Sequence, residues 1–205
     1  MRILKMFPDS INERYIAEIC SVLEDGGLII YPTDTAYAIG CDATNSRAIE
    51  KICKIKKIDY KKNHLSILCS DISQAAGYAL IDNVAFSILK RYLPGPYTFI
   101  LPASPTLPKL FKGRRQVGIR IPQNNIPVAI AKQLGKPLLT TTALSENTDS
   151  QSIILPEELA DIYEPSGVSL TVDGGDGVVE QSTIVDLSDS REPVIIRQGK
   201  GDFKE

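Results

Sequence analysis

Apolar side chains recur every three or four residues in several segments of the chain, which is the spacing of one face of a helix. In the first segment Ile16, Ile19 and Leu23 share a face, Ser10 fits a capping box and Gly26 ends the run. The same pattern predicts further helices that start near Ser46, Asp71, Asp82, Asn124 or Asn125, and Pro156.

Short apolar or alternating runs between these helices predict β-strands. They occupy residues 28–31, 65–69, 97–101, 117–122, 137–142, 168–172, 182–187 and 194–197. Because helices and strands follow each other in mixed order, we expect one α/β domain over residues 1–205, with a twisted mixed sheet flanked by helices.

A polar stretch follows the first predicted strand, where Pro32 ends the ladder. Thr33, Asp34 and Thr35 place short oxygen-bearing side chains at that strand end, which is where open α/β sheets hold ligands. Such groups suit an amino acid or a phosphate. The alternative is a polar turn in which Asp34 bonds its own backbone.

Two later segments also carry polar side chains that suit a ligand site. Thr140, Thr141 and Thr142 form a second hydroxyl-rich strand end, which we expect to face the first one. Arg120 stands alone among apolar residues of a predicted strand. An unpaired guanidinium is costly to bury, so Arg120 either lines a polar cleft or meets a buried carboxylate.

The net charge of −2 hides an uneven distribution of charge. Lysines are dense from Lys51 to Lys62, and a second basic stretch runs from Lys109 to Arg120. If the two stretches meet in space, they form a positive surface that attracts nucleotide phosphates or RNA. The alternative is solvated lysine on a helix face.

Composition excludes several other classes of protein. No stretch approaches the roughly 20 apolar residues of a membrane span, and the first residues lack a signal-peptide core, so we expect a cytoplasmic protein without a membrane partner. His64 is the only histidine, which excludes a zinc site built on several histidines. The four cysteines, none in a Cys-x-x-Cys pair, are expected to be reduced core thiols.

Six segments of the chain together resemble the YrdC/YciO family, and they follow in the family's order over nearly the whole sequence. They are Tyr31 to Cys41, Pro94 to Thr98, Val117 to Pro122, Thr140 to Ala143, Ser182 to Asp186, and Arg197 with Gly199. The resemblance implies a twisted sheet with a large positively charged groove.

The resemblance also implies an activity. The family's threonylcarbamoyl-AMP synthases combine L-threonine, bicarbonate or CO2, and ATP, and they release pyrophosphate. Their product is used to make N6-threonylcarbamoyladenosine in tRNA. This chemistry mainly requires alignment of two anions and no protein nucleophile.

Site residues follow from the resemblance position by position. Those expected to contact threonine are Thr33, Thr35, Arg120 and Ser182. Those expected to face the nucleotide are Lys54, Lys56, Asn63, Thr142 and Arg197. Mg²⁺ is expected to arrive with ATP, held by the phosphates rather than by a protein side chain.

The chain departs from the synthase pattern at three positions. Ile58 stands where synthases carry the arginine of Lys-x-Arg, unless Lys54 and Lys56 are the equivalent pair. Leu144 replaces the asparagine of Ser-Ala-Asn, and Leu68 replaces a histidine. These changes resemble the YciO branch more than the YrdC branch. They predict a synthase-like enzyme of weak or altered activity or, alternatively, a non-catalytic protein that binds double-stranded RNA or nucleotide in the same groove.

Overall fold

The computed structural model describes residues 1–57, 66–107, 113–143 and 153–204. The strands are β1 (Arg2–Lys5), β2 (Ile29–Tyr31), β3 (Ala38–Asp42), β4 (Ser66–Leu68), β5 (Tyr97–Pro102), β6 (Gln116–Arg120), β7 (Leu138–Thr142), β8 (Leu170–Asp173), β9 (Thr183–Asp186) and β10 (Val194–Arg197). The α-helices of the described ranges are α1 (Glu13–Glu24), α2 (Ser46–Ile55), α3 (Ile72–Ala76), α4 (Asn83–Tyr92), α5 (Asn125–Leu134) and α6 (Pro156–Tyr163).

All described strands belong to one mixed sheet of 10 strands, in the order β1-β8-β2-β3-β7-β4-β6-β5-β9-β10. Parallel pairs such as β4 with β6 alternate with antiparallel pairs such as β3 with β7. The predicted fold class, a mixed sheet flanked by helices, is therefore confirmed. A large basic groove stays a prediction, because many of the basic residues it requires lie in 58–65 and 108–112, outside the described residues.

Five of the six helices named above begin where a short polar side chain accepts backbone N–H groups, and α6 begins with Pro156 instead. Asp71, Asp82 and Asn124 cap α3, α4 and α5, as the sequence predicted. The capping box on Ser10 was wrong, because Asn12 accepts the N–H groups of Arg14 and Tyr15 and so begins α1 two residues later.

Two strands were not predicted from the apolar runs. β1 pairs with β8 at the edge of the sheet, where only Leu4 of its four residues is buried, so its apolar signal is weak. β3 follows the polar stretch Thr33 to Thr35 and was not assigned as a strand, although all its residues are buried, and it pairs with both β2 and β7. The loop between β2 and β3 is therefore a short hairpin connection.

The two faces of the sheet are covered differently. On one face, side chains such as Ile39, Ile67, Ile119 and Leu139 pack with α2, α4 and α6 in the larger core. On the other face a smaller core, which includes Ile29, Leu68, Leu138, Leu170 and Val172, packs with α1 and α5. This second face continues beyond that smaller core.

Beyond the smaller core, small and hydroxyl side chains replace the apolar ones. Gly40, Thr140, Ser66 and Gly118 are direct neighbours across β3, β7, β4 and β6. Alternation along β7 and β4 places them on the same face as Leu138 and Leu68. We call this row, with Thr98 of β5, the hydroxyl floor.

Two further predictions concern membrane spans and cysteines. None of the helices in the described part has the length and apolar character needed to cross a bilayer. All four cysteines are buried and none forms a disulfide, as predicted. Burial raises the pKa of the Cys69 thiol to about 12, so this thiol is neutral at physiological pH.

Candidate active site

The loop between β2 and β3 is organised by the Thr33 hydroxyl. Thr33 Oγ1 donates to the carbonyl oxygen of Ala36 at 2.8 Å and accepts the backbone N–H of Thr35 at 3.0 Å. It also lies 3.0 Å from Thr35 Oγ1. These bonds hold the Thr35 side chain in one orientation at the strand end.

Arg120, the last residue of β6, ties this loop to the sheet. Its Nη2 donates to Asp34 Oδ1 at 3.2 Å and to Thr35 Oγ1 at 3.0 Å. The other oxygen of Asp34, Oδ2, accepts the backbone N–H of Gln123 at 2.9 Å. Of the two alternatives left by the sequence, Arg120 therefore meets a buried carboxylate. The Asp34 side chain therefore bonds Arg120 and Gln123, and it does not form the alternative turn in which it would bond its own backbone.

The Arg120 guanidinium is almost fully enclosed. Its residue is 8% exposed, and its Nε is buried with no hydrogen-bond partner within the described residues. Burial lowers the pKa of Arg120, and the charge of Asp34 opposes that shift. A buried cation with an unpaired donor is a group that an anionic ligand would stabilise.

Ser182 precedes β9 and joins the hydroxyl floor to a second arginine. Its Oγ lies 2.9 Å from Thr98 Oγ1, and both residues are buried. Arg197 of β10 donates through Nη2 to the Ser182 carbonyl oxygen at 2.8 Å and to Ser182 Oγ at 3.4 Å. Burial, and after it the positive charge of Arg120, lowers the pKa of Arg197. Thr98 precedes Phe99 and Arg120 follows Ile119, and these two residues pair across antiparallel strands, so the group around Ser182 is a neighbour of Arg120 on the sheet.

The floor beneath these groups is kept low by two glycines. A Cβ on Gly118 would lie 2.5 Å from Ser66 Oγ, and a Cβ on Gly40 would lie 2.7 Å from the Leu139 carbonyl oxygen. Tyr31 donates its hydroxyl to Thr140 Oγ1 at 2.8 Å, which orients that threonine. The Tyr31 ring also covers Gly40, 2.8 Å from where a Cβ would lie, so the row is polar but closed at this end.

The C-terminal segment closes one side of the loop. Lys200 Nζ donates to the carbonyl oxygen of Asp34 at 2.9 Å and pairs with Glu180 at 3.3 Å. The Glu180 carbonyl oxygen accepts the N–H of Ala36 at 2.9 Å. Residues far apart in sequence thus converge on the loop.

The structure brings together most of the residues that the sequence singled out. Thr33, Thr35, Arg120, Ser182 and Arg197 belong to one connected site, which we call the arginine–hydroxyl cluster. Thr142 ends β7 on the face that carries the hydroxyl floor and pairs with Ala38. Their roles toward ligands stay predictions.

The predicted nucleotide lysines lie elsewhere in the described fold. Lys54 is exposed in the last turn of α2, and Lys56 caps that helix. α2 packs on the face opposite the hydroxyl floor. Asn63 lies outside the described residues, as do Ile58, His64 and Leu144.

Four residues that the structure places at the site were not among the assigned ligand contacts. Asp34 was noted with Thr33 and Thr35 as a candidate at the strand end but was given no partner, and Thr98 was noted only as part of a family segment. Ser66 lacked any motif, and Lys200 stood in a charged tail. Their common signal is a polar residue beside an apolar strand, which is too frequent to select a site.

A cavity of about 810 Å³ lies beside the cluster but does not include it. Its walls come from the start of α3, from α4 and from the start of α5, with Ile121, Pro122 and Gln123 along one side. Its lining mixes apolar with acidic, basic and amide side chains and indicates no ligand class.

The chain matches a known family in sequence. The Sua5/YciO/YrdC family model, which is described as telomere recombination, matches residues 21–199. YciO of Escherichia coli, an uncharacterised protein, is 38% identical over 202 residues, or 96% of this chain and 95% of that protein. A threonylcarbamoyl-AMP synthase of Vibrio vulnificus is 30% identical over 189 residues, or 90% of this chain and 98% of the synthase.

Solved structures agree with that match. The crystal structure of E. coli YciO has a TM-score of 0.89 at 35% identity and covers 98% of both chains. P. abyssi Sua5 complexed with L-threonine has a TM-score of 0.83 at 25% identity and covers 97% of this chain and 58% of Sua5. The chain therefore belongs to the Sua5/YciO/YrdC family, on its YciO branch.

Proposed function

We propose that the protein is a threonylcarbamoyl-AMP synthase-type nucleotidyltransferase of weak or altered activity. It would condense L-threonine, bicarbonate or CO2, and ATP to threonylcarbamoyl-adenylate and pyrophosphate, for modification of tRNA. The observation that carries the proposal is the convergence of Thr35, Arg120, Ser182 and Arg197 in one cluster. The similarity to a synthase and to a Sua5 complexed with L-threonine supports it.

The amino acid would occupy the part of the cluster between Thr35 and Ser182. Both residues are held by neighbours within the protein, so their positions are fixed before a ligand arrives. The threonine carboxylate would be stabilised by the positive charge of Arg120. Thr33 would act through Thr35, because its own hydroxyl proton is used on Ala36.

The nucleotide would lie along the hydroxyl floor toward Arg197 and Thr142. Arg197 is exposed and holds Ser182 through Nε and Nη2, so its charge faces the open side of the floor. Asn63 is proposed to contact the phosphates, whereas Lys54 and Lys56 would do so only if the phosphates reach past the floor to the end of α2, which packs on the opposite face of the sheet. Mg²⁺ bound to those phosphates would neutralise part of their charge.

The reaction needs alignment and charge stabilisation from these residues. The threonine amine adds to CO2 and loses a proton, which gives a carbamate. A carbamate oxygen then attacks the α-phosphorus of ATP, and the bond from that phosphorus to the β-phosphate oxygen breaks. Pyrophosphate leaves with the electron pair. Fixed cations around two anions lower this barrier without a protein nucleophile.

RNA binding in the same groove was the alternative, and the buried state of the cluster favours a small ligand. Thr35 is 5% exposed and Ser182 is 6% exposed, so the backbone of a duplex would not reach them. RNA binding through phosphates would weaken steeply as salt is raised. If the protein does not bind double-stranded RNA at low salt, or if its affinity does not change with salt, this alternative is excluded.

Pyrophosphate release tests the proposed reaction. The protein, ATP and Mg²⁺ are incubated with and without L-threonine and bicarbonate. We expect release that requires both additives. Ser182→Ala should lower the rate about tenfold or more, because it removes a hydrogen bond in the cluster.

Ser87→Ala is the matched control for that variant. Ser87 is exposed on α4, away from the cluster, and its substitution should leave the rate unchanged. Release that depends on neither additive at high protein concentration contradicts the proposed reaction.

A further inference from the structure

Asp34 connects three separate parts of the chain at the cluster. Its Oδ1 accepts Arg120 Nη2 at 3.2 Å, its Oδ2 accepts the Gln123 N–H at 2.9 Å, and its carbonyl oxygen accepts Lys200 Nζ at 2.9 Å. Its side chain is 9% exposed, so the carboxylate is largely enclosed by the groups it holds. No ligand contact has been assigned to it above.

The hydrogen bonds around Thr35 have a fixed direction. Because the Ala36 carbonyl can only accept, the single hydroxyl proton of Thr33 is used there. The 3.0 Å contact between the two threonine hydroxyls must then be a donation from Thr35 to Thr33. The Thr35 hydroxyl proton is therefore used within the protein.

The Thr35 oxygen consequently faces the site as an acceptor. One of its two lone pairs receives Arg120 Nη2 at 3.0 Å. The other is left for a ligand, which must supply a donor such as an ammonium or a hydroxyl group. L-threonine carries both kinds of donor.

We propose that Asp34 is a positioning residue that acts through Arg120 to hold the Thr35 oxygen ready to accept a hydrogen bond from the amino-acid substrate. Asp34 fixes the guanidinium from one side, and the same Nη2 atom fixes Thr35 from the other. This inference rests on the proposed function and goes beyond it, because it names the residue that sets the amino-acid contact.

A purely structural role for Asp34 makes a different prediction. If Asp34 only anchored the loop, its substitution would lower stability and would weaken L-threonine and ATP to similar extents. Positioning through Thr35 affects the amino acid alone, and it makes the effects of Asp34 and Thr35 interdependent.

A double-mutant cycle on L-threonine binding tests the inference. Asp34→Asn keeps the shape but offers an amide N–H₂ to one of the two donors that the carboxylate accepts. Thr35→Val keeps the shape and removes the acceptor, together with the donation to Thr33. We expect each single variant to weaken L-threonine binding about 10- to 100-fold, as for a lost bond to a charged group. The double variant should be no weaker than the worse single variant.

Three measurements accompany the cycle. ATP affinity should stay within about twofold of the wild type in both single variants, since neither residue is placed toward the nucleotide. Asp161→Asn on the exposed side of α6 is the matched control and should change neither affinity. Thermal unfolding establishes that each variant is folded. If Asp34→Asn does not fold, Asp34→Glu replaces it in the cycle, because it keeps the negative charge but moves the carboxylate away from its place beside Arg120 Nη2.

The outcomes separate the two proposals. Wild-type protein that binds no L-threonine overturns the proposed function and this inference with it. Wild-type binding with additive losses in the double variant overturns the inference alone, as do equal losses of L-threonine and ATP affinity. Non-additive loss confined to L-threonine supports both.

Discussion

One face of the sheet is used in two ways. Under α1 and α5 it carries Ile29, Leu68, Leu138 and Val172, all fully buried. A few ångströms further, the same face carries the glycines, serine and threonines of the hydroxyl floor. Arg120 stands at the boundary, in the same row as Leu68.

The two halves differ in the chemistry of their side chains. Apolar side chains in the covered half gain stability by filling the space beneath the helices. In the hydroxyl floor, short polar side chains bond one another and Tyr31 instead of filling an apolar core, and we propose that this part of the face binds the ligand. Substitutions in the two halves should therefore separate stability from binding.

The largest effect is expected from Leu138→Ala in the covered half. Leu138 is fully buried in the smaller core, so the variant should lose about 2–5 kcal/mol of unfolding free energy. Urea denaturation measures this loss. Ligand affinity measured on the folded fraction should be unchanged, and a selective loss of affinity would contradict the separation of the two halves.

Gly118→Ala, in the hydroxyl floor, should cost less stability than Leu138→Ala but should weaken ligand binding. The new Cβ would meet Ser66 Oγ at 2.5 Å and Thr98 Cγ2 at 3.3 Å, so Ser66 must rotate and the floor rises. We expect a stability cost of about 1–3 kcal/mol and weaker binding of ATP in a calorimetric titration. Unchanged ATP affinity would show that the nucleotide does not lie on this floor.

The two arginines should discriminate between the ligands. Arg120→Ala should weaken L-threonine more than ATP, and Arg197→Ala should do the reverse, each by about tenfold or more for the affected ligand. Arg47→Ala, on the exposed side of α2, is the control and should change neither affinity. Equal effects of both variants on both ligands would contradict the assigned roles.

The smallest effect is a pH dependence of stability that comes from Cys69, which is buried in the larger core. Burial raises the pKa of Cys69 from 9.0 to about 12, so the folded state keeps a proton that the unfolded state releases above pH 9. The stability contributed by this group is complete below pH 9 and is lost as pH rises toward 12.

Urea denaturation at two pH values measures that loss. The stability of the wild type relative to Cys69→Ala should fall by about 1 kcal/mol between pH 9 and pH 10. A constant difference between the two proteins would show that the thiol is accessible and titrates normally.

The sequence predicted the fold class because its periodic apolar runs are strong where strands are buried on both faces. All six predicted helices of the described ranges occur, and Asp71, Asp82 and Asn124 were correct as caps. β1 and β3 were missed, since one is an exposed edge strand and the other is a short buried strand directly after a polar turn, without the alternation that marks a strand.

The candidate site was predictable in part. Thr35, Arg120, Ser182 and Arg197 came from the family resemblance, and no local pattern joins them. Their convergence depends on the strand order β6-β5-β9-β10, which sequence spacing does not determine. A buried carboxylate partner for Arg120 was one of two alternatives, and Asp34 was not named as that partner, because a carboxylate 86 positions away leaves no periodic signal.

A crystal structure of the protein soaked with ATP, Mg²⁺ and L-threonine tests the account most directly. We predict that the amino acid lies between Thr35 and Ser182, donates a hydrogen bond to Thr35 Oγ1, and places its carboxylate toward Arg120, with the nucleotide along the hydroxyl floor. Density for the amino acid elsewhere, for instance in the 810 Å³ cavity beside Gln123, would contradict it.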